Sequence, residues 1–130
     1  MATTVETGPI RESPRRLQHN QDATAVGTDM ATFDVRGVKR LFVHLTVAVA
    51  DLTSFAIKAR SHPSATAVTL FSTSGHYTAP SGRLKGVSAD LTALAVGAGW
   101  FDLETEGLDQ VFITAGSGGS ATVAFKAGGW

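Results

Sequence analysis

Residues 40–49 read RLFVHLTVAV, and the reading of this stretch decides the fold. Its odd positions, Leu41, Val43, Leu45, Val47 and Val49, are all apolar. Its even positions, Arg40, Phe42, His44, Thr46 and Ala48, are mixed. Alternation with period two, rich in β-branched side chains, belongs to a strand with one face in a core. A helix here would crowd three valines against the preceding turns. We therefore read a long central strand. Phe42 on its second face implies that this face is partly covered too.

Working toward the C-terminus, residues 51–54 carry a turn signal, and Phe55, Ile57 and Ala59 then alternate with Lys58 and Arg60 as a half-buried strand. Pro63 breaks the pattern, and Val68 and Leu70 mark a strand over residues 66–71. Residues 38–71 thus read as a three-strand meander. Residues 72–86 are rich in Ser, Thr, Gly and Pro and read as a long loop carrying His76, Tyr77, Arg83 and Lys85, with room for a short strand at 83–87. The one helix candidate is residues 90–94, capped by Ser88 or Asp90. Trp100, Phe101 and Leu103 open another strand. Residues 110–115 and 120–127 alternate on either side of Gly116-Ser117-Gly118-Gly119 and read as a hairpin, with Val111, Ile113, Val123 and Phe125 inward and Lys126 outward.

Toward the N-terminus, alternation is weaker. Residues 23–35 read as one strand interrupted at Gly27 and ending on Phe33 and Val35. Residues 1–21 are polar, hold Pro9 and Pro14, and show no periodicity. They read as an extended arm preceding a body over residues 22–130.

Parallel strands need long crossovers, and the sequence offers none. The fold class is therefore all-β and antiparallel, with about seven strands. A two-sheet sandwich, jelly-roll or immunoglobulin-like, and a small barrel all fit. The chain of 130 residues suits one domain. Eleven basic residues balance eleven acidic ones, which favours neither nucleic acid nor a membrane surface as partner. Without cysteine there is no disulfide framework and no thiolate metal site, which points to cytosolic folding. No apolar run is long enough to span a bilayer, and the opening MATTVETGPIRESPRR does not read as a signal peptide.

Chemistry-bearing patterns are sparse. The four histidines, His19, His44, His62 and His76, have no metal-ligand spacing, and His44 reads as packed or hydrogen-bonded. Asp102, Glu104, Glu106 and Asp109 form an acidic cluster that would suit calcium, but an ordinary solvated sheet face suits it better. The glycine stretch lacks the Lys-Ser/Thr of a phosphate loop, and no GxSxG elbow is present. We expect no enzyme, no cofactor and no metal. Trp100, Tyr77 and Trp130 could serve as a sugar-stacking platform, although scattered aromatics more often lie in a core or an interface.

The polar arm over residues 1–21, the strand body from Phe33, and the block DLTALAVGAGWFDLETEGLDQVFITAGSGGSATVAFKAG over residues 90–128 together resemble a capsid decoration (cement) protein of a tailed bacteriophage. The resemblance is one of general character and spans most of the chain. It implies a virion structural protein, assembled in the host cytoplasm, that binds the outside of a shell of major capsid proteins as a monomer or small homo-oligomer. The same character fits a neck, tail or fibre-attachment component, and a carbohydrate-binding β-sandwich is the reading from a different class. For partner contact we expect the arm and the long loop, through Arg11, Arg15, Arg16, His76, Tyr77 and Arg83.

Overall fold

The computed structural model describes residues 16–73, 82–116 and 120–130. Nine strands and one short helix follow in order: β1 (Leu17–Ala25), β2 (Gly27–Asp34), β3 (Arg40–Ala48), β4 (Ser54–Arg60), β5 (Val68–Ser72), β6 (Leu84–Val87), α1 (Ala89–Thr92), β7 (Gly97–Glu104), β8 (Gln110–Gly116) and β9 (Thr122–Gly129). They form two antiparallel sheets packed face to face. Sheet A has the order β1-β9-β3-β7-β6, and sheet B the order β2-β8-β4-β5. The all-β sandwich expected from the alternation is present, with nine strands rather than about seven.

β3 is the middle strand of sheet A, as its pattern requires. Leu41, Val43, Leu45 and Val47 are buried, while Phe42 is half-buried on the outer face. Val49 departs from the pattern: the strand ends at Ala48, and Val49 is 70% exposed. Val68 is also exposed, although it pairs with the buried Ala59, and a bulge at Leu70 of β5 opposite Ile57 and Lys58 leaves Leu70 and Phe71 buried together.

Strand partners differ from the sequence reading in three places. Residues 38–71 are not a meander, since β3 lies in sheet A and β4 and β5 in sheet B. Residues 110–127 are not a hairpin, since β8 pairs β2 and β4 whereas β9 pairs β1 and β3. Residues 23–35 are not one strand: the chain changes sheets at Val26, between β1 and β2. The physical reason is common to all three. Alternation records which face of a strand is buried, and that face is the same whether the neighbour in sequence sits beside the strand or across the core. At the N-terminus, Leu17 to Gln21 pair with β9, so the body starts inside the segment read as arm.

The inward faces build one core. Phe33, Phe55, Phe71, Phe101 and Phe125 are all fully buried. Phe55 of sheet B meets Phe101 of sheet A with ring centroids 6.2 Å apart, joining the two layers. Thr105 is fully buried, and its hydroxyl donates to the Val38 carbonyl at 2.7 Å, so the buried oxygen costs no unmet hydrogen bond. Ser88 caps α1 by accepting from the Leu91 N–H, and the same oxygen accepts from Trp100 N–H, which ties the helix to β7.

Charge collects at one end of the sandwich, where β2, β4 and β7 finish and β3 begins. Arg36 meets Asp34, Arg40 meets Asp102, Arg60 meets Asp109, and Lys85 meets Glu104. The side-chain hydrogen bond from Arg36 holds the Asp34 carboxyl down to about 2 from 3.8. A lowered pKa adds stability above the unfolded value and loses it as pH falls toward the folded one. Both side chains are half-exposed or more, so the contribution is small. We expect Asp34→Asn to lower the urea midpoint slightly at about pH 6 and not at about pH 2. An equal loss at both pH values would place the stabilisation elsewhere.

Candidate functional site

The opposite end of the sandwich is strained. Val47 of β3 pairs with Gly97 of β7, so the loop after β3 and the loop before β7 lie together. Among the described residues, the non-glycine positions with positive φ are Asp29 (49°), Val49 (77°) and Leu94 (62°), and all three belong to this end. The turns at the charged end instead use Gly37 (77°) and Gly107 (86°), where no Cβ opposes the conformation. Placing a β-branched residue in the left-handed region costs roughly 1–2 kcal/mol. The surrounding loops enforce it. Leu52 N–H donates to the Leu94 carbonyl at 2.9 Å, Val96 N–H to Asp51 Oδ1 at 2.9 Å, and Thr53 N–H to the Gly116 carbonyl at 2.7 Å. Leu94 packs against the core, but at Val49 the strain brings no burial in return: its side chain is 70% exposed, and Val96 is 49% exposed. Two apolar side chains are thus held toward solvent beside Asp51, whose carboxylate accepts from the Val96 N–H.

A second feature occupies the outer face of sheet A. Phe42 stacks on Trp100 with centroids 5.5 Å apart and planes 12° apart, and His44 lies 5.0 Å from Phe42. Trp100 covers Gly86, where an added Cβ would stand 3.1 Å from the indole ring. Beside this stack, a groove of about 430 Å³ runs over β9 between β1 and β3. Gly128 forms its floor, with Gln18 and Asn20 on one wall, Phe42 and His44 on the other, and Lys126 and Trp130 toward its ends.

The residues expected to contact a partner are only partly placed. Arg11, Arg15, His76 and Tyr77 lie outside the described residues. Arg16 N–H donates to the Gly129 carbonyl at the β1 edge, and Arg83 Nη1 donates to the carbonyls of Glu104 and Glu106 at the β6 edge. These two share the charged end but stand four strands apart, about 19 Å. The acidic cluster is spread over ion pairs: Arg40 forks onto both oxygens of Asp102 at 2.7 Å, Lys85 reaches Glu104, and Arg60 reaches the buried Asp109. Among the described residues no group of three His, Asp or Glu is placed to hold a metal ion. His44 is exposed beside Phe42 rather than enclosed, whereas His19 bonds Gln21 and sets its ring edge-on to Phe33 at 4.8 Å.

Sequence reasoning missed the strained end. Val49 continues the alternation of β3, so its pattern assigns it to the core, and nothing local in the sequence signals a positive φ there. It also missed the groove, whose residues come from strands far apart in the chain. No protein-family model, no curated protein and no solved structure matches this chain.

Proposed function

We propose that this protein is a non-enzymatic virion structural protein that binds the outside of a phage head, as a capsid decoration protein does, and that the strained end of the sandwich is the part applied to the shell. The observation that carries this reading is Val49: a β-branched residue in the left-handed region, cross-tied by its neighbouring loops and still exposed. Strain of that kind persists where the position serves something other than the isolated fold. The partner it fits is an apolar pocket with a basic group at its rim, matching Val49 and Val96 beside Asp51.

Within the same reading we take the sandwich as a jelly roll. What supports this is the chain path. With β6 set aside as an added edge strand, β1-β9-β3-β7 faces β2-β8-β4-β5, and of the connections only β4–β5 and β6–β7 stay within one sheet. The polar residues ahead of β1 join the body at the charged end, across a nine-residue strand, about 30 Å, from the strained end. Two attachments at opposite ends would make the second one effectively intramolecular, which multiplies affinity without new contacts.

The test uses Val49→Asn and shells of the major capsid protein encoded in the genome that carries this gene. Asparagine tolerates the left-handed region, so the folded protein should keep its stability or gain up to about 1 kcal/mol in urea unfolding. Occupancy on shells should fall by about tenfold or more. A variant that is equally stable and binds shells like the parent would refute the docking end, and a parent that binds no shell would refute the virion role.

A further inference from the structure

We propose that the groove over β9 binds an acidic saccharide, a pyranose carrying a carboxylate. This goes beyond the virion reading and stands on different residues. Register fixes the arrangement. Asn20 pairs with Lys126 on one side and His44 pairs with it on the other, so three side chains able to donate hydrogen bonds stand abreast on three adjacent strands. Adjacent strands are about 4.8 Å apart, so the row spans about 10 Å. The next outward row is Gln18, Gly128 and Phe42, and the glycine opens the floor between a polar wall and an aromatic one. Trp130, just past the end of β9, lines the groove as well.

A ligand must match both rows. One row offers amide, ammonium and imidazole donors, which suit a carboxylate and hydroxyls. The other offers an aromatic wall beside open space, which suits the apolar face of a sugar ring. Among the described residues, no Asp or Glu side chain lines the groove and Lys126 has no ion-pair partner, so a negative ligand charge meets a positive one. The volume of about 430 Å³ falls in the range of small-ligand sites. A peptide adding as a strand fits less well: β9 and β3 are interior strands with both edges paired, so the ligand meets side chains only. The exposed Trp100 stacks on the far side of Phe42 and keeps that ring in place.

The experiment titrates the full-length protein, followed by amide chemical shifts, with trigalacturonate and with 3′-sialyllactose. Galactotriose and lactose are the neutral counterparts, and inorganic phosphate is the plain anion. We expect at least one acidic sugar to bind with a Kd of about 0.1–1 mM, shifting residues of β1, β3 and β9, and its neutral counterpart to bind about tenfold more weakly or worse. The two acidic arms separate hexuronate from sialate as the carboxylated ring. Lys126→Glu should abolish binding while leaving urea unfolding unchanged, and Lys126→Arg should retain it. Absence of binding to both acidic sugars, equal binding of the neutral sugars, displacement by equimolar phosphate, or full binding by Lys126→Glu would each overturn the proposal. None of these outcomes bears on shell binding through Val49, so the two readings fail separately.

Discussion

Replacing Phe125 by alanine is expected to cost about 3–5 kcal/mol, out of a total of about 5–15 kcal/mol for a domain of this kind. Phe125 is 1% exposed in β9, where it faces Leu45 of β3 on one side and Gln21 of β1 on the other. Truncation removes the transfer free energy of the ring and leaves a void between two sheets that cannot close over it, because backbone pairing on both sides fixes β9. The measurement is urea unfolding of the full chain, with Lys126→Ala as the control on the adjacent, outward position. That control should stay within about 0.5 kcal/mol. If both substitutions destabilised equally, the inward register of β9 would be wrong, since a one-residue slip exchanges the two faces.

What the sequence revealed and what it concealed divide along a physical line. Period-two alternation is a local property, and it placed Leu41, Val43, Leu45, Val47, Val111, Ile113, Val123 and Phe125 correctly in the core. The cap on α1 was legible down to two candidates, Ser88 and Asp90, because capping is local, and the bond from Leu91 N–H selects Ser88. Sheet membership is not local. The Gly-rich segment after β8 permits a tight turn, but it also permits a crossing to the other sheet, and only the closure of the whole sandwich selects the crossing. The same holds for the candidate sites. Asn20, His44 and Lys126 become neighbours through pairing of β1, β9 and β3, so no spacing along the chain announces them. Trp100 and Trp130 stood out as aromatics, and both belong to the outer face of sheet A, but their separation in sequence gave no hint of a common surface. Val49 was concealed for the opposite reason: its local pattern pointed firmly to the wrong environment.

Gly129→Ala is expected to cost about 1–3 kcal/mol and to release β1 before the rest of the sandwich. A Cβ at this position would stand 2.8 Å from Val38 Cγ1, 3.0 Å from Leu17 Cβ and 3.5 Å from the Arg40 carbonyl oxygen. Something must yield. Val38 is 3% exposed and β-branched, so its methyl group cannot swing aside. Leu17 belongs to β1, which among the described residues is paired on one edge only and ends sheet A. The least costly response is for the start of β1 to move off β9, breaking the bond from Arg16 N–H to the Gly129 carbonyl. Gly116→Ala is the informative contrast. There the nearest atom, at 2.8 Å, is the hydroxyl oxygen of Ser54, which a rotamer change can remove, so the cost should be smaller. Amide hydrogen exchange distinguishes the two responses. Gly129→Ala should accelerate exchange across residues 17–21 well before it affects β3 or β7, and β1 protection equal to the parent's would mean that the edge strand does not rest on β9 at this glycine.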